Sequence, residues 1–364
     1  MRRKRKFNSI WLLLLLPFGY TLVYFSQKNP NQVEKLYSSG VYKYIGTAIS
    51  VVTGIFPFSI GELLVILSLL FIIILIIWVL YKAIRGEIEY KRILVYIGRV
   101  LVVFSILYFA FNILWGLNYY RLPFSKLANI DTRPANVQEL VALCDHLIYE
   151  ANELRREIES NKGNKPVEYN YKYILENAYR GYEIAESTYP ELGGRYGRPK
   201  GVIFSKAMSY MGITGIYFPF TGEANVNMDT PYVSLPATVT HEMAHQRGFA
   251  REDEANFIAY ITCKAHPDLD FQYSGYVLAL THSMNSLYAN DREQYVQLSR
   301  KYSNEVKNDF IEISRHWAKY EGSLEKASNK INNAYLKSNN QKDGVRSYGR
   351  MVDLLIAEYR MKNK

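Results

Sequence analysis

The hydrophobic pattern divides the chain near residue 121. Before that point apolar residues come in long runs; after it they recur every three or four positions or alternate over short stretches. The first run, Ile10 to Phe25, follows the basic cluster Arg2-Arg3-Lys4-Arg5-Lys6. Behind it, Ser26-Gln27-Lys28-Asn29-Pro30 offers no small-x-small cleavage site, so the run predicts a retained anchor and not a signal peptide. A second run, Leu63 to Leu80, carries no charge and is long enough to cross a bilayer. The third extends from about Val100 to Leu117, between Arg99 and Asn118-Tyr119-Tyr120-Arg121, with aromatic residues where an interface belongs. The three runs predict a membrane domain over 1–124, with spans at about 10–25, 62–81 and 97–117.

Basic residues orient these spans. Lys82, Arg85, Lys91 and Arg92 lie between the second and third runs, and the amino terminus is basic too. Under the positive-inside rule both are cytoplasmic, and three crossings put everything after Arg121 outside. The other external piece, 27–59, either lies along the membrane surface or dips into it. Asn112, inside the third run, reads as a helix-to-helix hydrogen bond.

Beyond residue 124 the periods fit one domain, 125–364, with its own core. Val137, Leu140, Val141, Cys144 and Leu147 mark a helical stripe within 134–160, and 169–187 gives a second helix. Short β-prone runs come next, at 202–204 and 213–220, broken by Gly212, Gly215 and Pro219. Asn225 to Asn227 fits either an edge strand that pairs with an extended peptide or a plain hairpin. Helices are predicted again over 273–288, 305–335 and 348–359.

Composition agrees with this division. Hydrophobic residues make up 49% of the chain, yet the mean hydropathy is −0.15, as when a few very apolar spans precede a polar domain. The net charge of +10 sits partly beside the spans, where lipid headgroups account for it. No nucleic-acid motif accompanies the rest, so the expected partners are the bilayer and a peptide or protein substrate, with no nucleic acid. Cys144 and Cys263 read as buried free thiols, although one disulfide between them is open.

Chemistry concentrates in Thr240-His241-Glu242-Met243-Ala244-His245-Gln246-Arg247-Gly248-Phe249 and the Ala250-Arg251-Glu252-Asp253-Glu254-Ala255-Asn256 directly behind it. On a helix, His241 and His245 leave the same face and can grip one metal ion. Glu242 stands beside them, where a general base for an attacking water must sit. Pro236 fits the first turn of this helix and Gly248 its end. Histidine is scarce here, with six in the chain, and the setting of Val239, Met243, Ala244 and Phe249 is apolar, both of which argue against a chance pair.

Either Glu252 or Glu254 has to supply the third ligand. Successive helical residues rotate by about 100°, so these two point to nearly opposite sides. Glu252 shares its side with Ala255, Asn256, Ala259 and Cys263, small residues that allow close approach to Ala244 and Gly248. Glu254 shares its side with Phe257, Ile258 and Ile261. The expected set is therefore His241, His245 and Glu252 on zinc, Asn256 accepting a ring proton from a ligating histidine, Glu242 as base and Glu254 structural.

The pattern His241-Glu242-x-x-His245 with Glu252-x-x-Ala255-Asn256 resembles the zincin metallopeptidases of the gluzincin type. In those, the downstream glutamate binds zinc and the residue four later steadies a histidine. Six residues separate His245 from Glu252, a shorter spacing than gluzincins usually have. Arg251 stands where the metzincin branch places a third histidine, and arginine is no zinc ligand. The wording from Pro219-Phe220-Thr221-Gly222-Glu223-Ala224-Asn225 to Ser347-Tyr348-Gly349-Arg350 also resembles an uncharacterised bacterial membrane family known only as a domain of unknown function.

The expectation is a mainly α membrane protein: three amino-terminal transmembrane helices, then an α+β zincin-like extracytoplasmic domain. Its function would be zinc-dependent peptide hydrolysis, with Tyr348, Arg350 and His282 as candidates to hold the oxyanion. A non-catalytic zinc sensor or scaffold is the alternative, and it requires a closed site with a fourth protein ligand. An intramembrane protease is disfavoured by Gln246, Arg247, Arg251, Glu252 and Asp253 around the motif.

Overall fold

The computed structural model describes residues 9–87, 90–162, 170–341 and 350–362. The basic cluster 2–6, the side chains of Lys91 and Arg92, and Tyr348 lie outside the described residues. The chain is mainly helical. Three helices are long and apolar enough to cross a membrane: Ile10–Lys28, Ile60–Ile84 and Ile93–Leu114. The second begins where Ser59 accepts from the Glu62 backbone N–H, an N-cap ahead of the apolar run. The third ends at Leu114, short of the expected Leu117, because the chain turns at Trp115 into the 3-10 segment Gly116–Tyr120.

Between the first two spans, a π-helical stretch Val33–Tyr42 runs into the helix Lys43–Gly54. This segment is packed onto the large domain. Val33 and Tyr42 share a buried cluster with Trp115, Tyr119, Tyr120, Tyr217 and Ala250. The Arg121 guanidinium meets the Glu34 carboxylate through two bonds of 2.8 and 2.9 Å in the same buried layer. Packing is therefore continuous across residue 121, where the sequence pattern changes.

The large domain is built on long helices, Val137–Lys162, Leu235–Gln246, Glu252–Ala265, Leu269–Asn290 and Met351–Lys362, around one extended apolar core. The helix predicted through 305–335 is two, Asn304–Ala318 and Ser323–Ser338, separated at Gly322. Both cysteines are buried and free.

The sheet is small, with strands β1 (Lys200–Gly201), β2 (Gly215–Phe218) and β3 (Glu223–Val226) in the order β1-β3-β2. β2 and β3 form an antiparallel hairpin with Ile216 opposite Asn225, and β1 joins β3 in parallel. Asn225 thus lies on the central strand and not at an edge: the hairpin reading holds, and the edge beside the helix that carries His241 is β2. The run 202–204 is not a strand, since Phe204 precedes the short helix Ser205–Tyr210.

The sheet is fastened to the second span. Glu223 of β3 accepts from the Ile60 and Gly61 backbone N–H groups at 3.1 and 2.6 Å, at the amino end of that helix. Its remaining capacity goes to Thr221 Oγ1 at 2.8 Å and Lys200 Nζ at 2.5 Å. In return, Glu62 in the first turn of the span accepts from the Ile203 and Phe204 N–H groups. A carboxylate at a helix amino terminus satisfies donors that lack intrahelical partners and complements the dipole.

Candidate metal centre

The helix Leu235–Gln246 carries Pro236 in its first turn, as the sequence predicts, and ends in a left-handed glycine. Gly248 has φ +80, its N–H donates to His245 O at 2.9 Å, and the Phe249 N–H donates to Ala244 O at 3.2 Å. This pair of bonds is a Schellman turn. A Cβ on Gly248 would lie 2.8 Å from the Tyr42 ring, so the position demands glycine twice over.

The turn also serves the site. It directs the Phe249 carbonyl back at His245, whose Nδ1 lies 2.7 Å from it. A carbonyl only accepts, so Nδ1 carries the proton and Nε2 is left with a lone pair. His241 Nδ1 is held by Asn256 Oδ1 at 2.8 Å, which frees its Nε2 in the same way. The two Nε2 atoms are 3.1 Å apart. Glu252 Oε2 approaches them at 3.2 and 3.8 Å.

Held this way, two neutral imidazoles turn both lone pairs towards one point, which a proton or a metal cation can occupy. Zinc bonds of about 2.0–2.1 Å at tetrahedral angles put neighbouring donors roughly 3.3 Å apart. The separations of 3.1, 3.2 and 3.8 Å among the donor atoms of His241, His245 and Glu252 lie near that edge length. Burial opposes protonation of His245, yet the Glu252 carboxylate pushes its pKa up to about 9. Burial likewise opposes charge on Glu252, and the two histidines hold it far below the usual carboxylate range. The cluster attracts positive charge.

Glu242 is buried beside the cluster, and its Oε2 finds no hydrogen-bond partner among the described residues. Burial raises its pKa, with the two histidines acting the other way. Gly215 of β2 presses on it: a Cβ there would come within 2.5 Å of Glu242 Oε1. Glu254 points elsewhere, accepting from the Phe124 N–H at 3.0 Å and from Arg251 at 2.8 Å.

His241, Glu242, His245, Glu252 and Asn256 all line one cavity of about 830 Å³. Of the oxyanion candidates, His282 lines the same cavity, and burial, then His241, pushes its pKa down to about 4. Arg350 instead lies 3.6 Å from Asp253, and Tyr348 is outside the described residues.

Three partners of the metal helix escape sequence reasoning. Its last carbonyls accept from Trp115 Nε1 (to His245 O, 3.2 Å), Tyr42 Oη (to Gln246 O, 3.0 Å) and Arg121 Nη1 (to Arg247 O, 3.3 Å). All three donors come from the chain before residue 124. They occupy the orphan carbonyls of a helix end, with Arg121 placing positive charge at its negative pole. The only sequence signal was an Arg and a Trp near the end of an apolar run, which the membrane interface already explained.

Comparison with curated proteins and with solved structures returned no match. A family model does match, that of "Protein of unknown function (DUF3810)", over residues 37–356. Because the match runs from the segment that caps the metal helix, through all the candidate ligands, to the last helix, the chain belongs to the DUF3810 family.

Proposed function

We propose that this protein is a membrane-anchored zinc peptidase. The observation that carries the reading is the convergence of His241 Nε2, His245 Nε2 and Glu252 Oε2 beside a buried, under-partnered Glu242 at the wall of an 830 Å³ cavity. Bound there, zinc would supply a Lewis acid that polarises a peptide carbonyl and activates a water. Glu242 takes the proton of the attacking water and returns it to the departing amine. His282, neutral at pH 7, is the residue on the cavity wall best suited to donate to the developing oxyanion. The edge of β2, unpaired among the described residues, lines the same cavity and can align an extended peptide.

A sensor or scaffold that keeps zinc for structure would need a closed site. Among the described residues the cluster has three members and opens on the cavity, which favours catalysis. The positive-inside bias supports a cytoplasmic amino terminus and an extracytoplasmic peptidase domain. A reporter enzyme active only outside the cytoplasm is then expected to work when fused after Arg121 and to fail after Arg85; the reverse pattern overturns this orientation.

The test of the site uses the full chain in detergent. Stoichiometric zinc is expected in the parent and in Glu254→Ala, and not in Glu252→Ala. Hydrolysis of a proteome-derived peptide library should stop on chelation and return with zinc. Loss of metal from Glu254→Ala with retention by Glu252→Ala would show that the wrong carboxylate has been assigned.

A further inference from the structure

We infer that the substrate is a polypeptide tethered in the membrane and cut within a few residues of its anchor. This rests on the peptidase reading above. The cavity wall includes the end of a span: Phe111 lies in the last turn of Ile93–Leu114, and Trp115 is the first residue beyond it. The Trp115 ring is 5.9 Å from that of His245. A headgroup layer is only about 6 Å deep, half the difference between the full bilayer and its hydrocarbon core. The metal cluster is therefore one ring contact from the edge of the hydrocarbon, at headgroup level.

The sheet that continues this wall, with Tyr217 of β2 5.3 Å from the Trp115 ring, is tied to the second span: Glu223 accepts from its first N–H groups and Glu62 accepts from the Ile203 and Phe204 N–H groups. Ile216 on β2 is an exposed apolar residue of the cavity wall, and Ile203, Phe204 and Ile55 are exposed apolar residues at the junction of the sheet with the second span. Within the cavity, the only Asp, Glu, Lys or Arg side chains among the described lining residues are Glu242 and Glu252. Such a groove suits an uncharged, extended segment arriving from the bilayer. Confinement to the same bilayer raises the local concentration of that segment at the site above that of a dilute soluble peptide.

The test places the zinc-loaded full chain in vesicles of phosphatidylcholine and phosphatidylglycerol. One substrate library carries randomised ten-residue segments fused to a transmembrane helix, and a second carries the same segments without the helix. Tethered segments are expected to be cut at least tenfold faster. The cut should stay within a few residues of the anchor when spacers of five, ten and twenty residues are inserted. Equal rates, with cut positions that follow sequence and ignore the anchor, overturn the inference and leave the peptidase reading standing. Release of fatty acid with neither library cut overturns both in favour of a lipid substrate.

A binding readout separates the two further. Glu242→Gln with a photo-crosslinking benzoylphenylalanine in place of Ile331, an exposed residue of the cavity rim, should capture the tethered library in preference to the untethered one. Preferential capture without hydrolysis by the parent retains the tethered ligand and sinks the peptidase reading; equal capture sinks the tether.

Discussion

Glu223 and Glu242 are comparably buried, 2% and 4% exposed, and both sit against the same three-stranded sheet. Glu223 is saturated: two backbone N–H groups of the second span, a threonine hydroxyl and a lysine ammonium share its two oxygens. Glu242 has an oxygen with no partner among the described residues, and burial raises its pKa. A buried carboxylate without full hydrogen bonding costs stability; Glu254 Oε2 is in the same position, but Glu254 is paired with Arg251, whereas Glu242 lines the cavity. The contrast separates a carboxylate spent on joining two elements from one that keeps an oxygen without a partner among the described residues.

Substitutions can break this contrast. Glu242→Gln should lower hydrolysis by about 10²- to 10⁴-fold while zinc content and thermal stability hold or improve, because a neutral amide is easier to bury. If that variant hydrolyses like the parent, Glu242 is not the base. Glu223→Ala should leave the Lys200 ammonium buried without its counter-ion and cost roughly 3–5 kcal/mol, read from denaturant unfolding of the solubilised chain. An unchanged unfolding midpoint would mean that the sheet is not fastened to the span through this residue. Gly215→Ala sharpens the comparison, since its methyl group would displace the Glu242 carboxylate and leave Glu223 alone. The expectation is a fall of about 10- to 100-fold in kcat with metal content intact; a parent-like kcat would show that the base tolerates displacement.

The parts of the site readable from sequence obey local rules. His241 and His245 share a face because helical residues four apart do, and Gly248 marks the turn because only glycine adopts its φ cheaply there. Helix register also separates Glu252, facing the histidines, from Glu254, facing Phe124 and Arg251. Strand order was not readable: β1 is two residues long, too short to show alternation, yet its parallel pairing puts Asn225 in the centre of the sheet. Nor was the acceptor for His245, because a backbone carbonyl such as Phe249 O has no side-chain signature.

Sequence by itself determined the three apolar helices, the helical character of the chain beyond them and the convergence of His241, His245 and Glu252, because hydrophobic runs and helical periods depend on neighbours within a few positions. Tertiary structure decided what holds that arrangement. Tyr42, Trp115 and Arg121 reach the last carbonyls of the His241–His245 helix from more than a hundred residues away, and Glu223 binds the start of an apolar helix 162 residues before it. No local pattern encodes such contacts. They exist because a helix end and a span end each leave backbone groups without intrahelical partners, and burial obliges the rest of the chain to supply them.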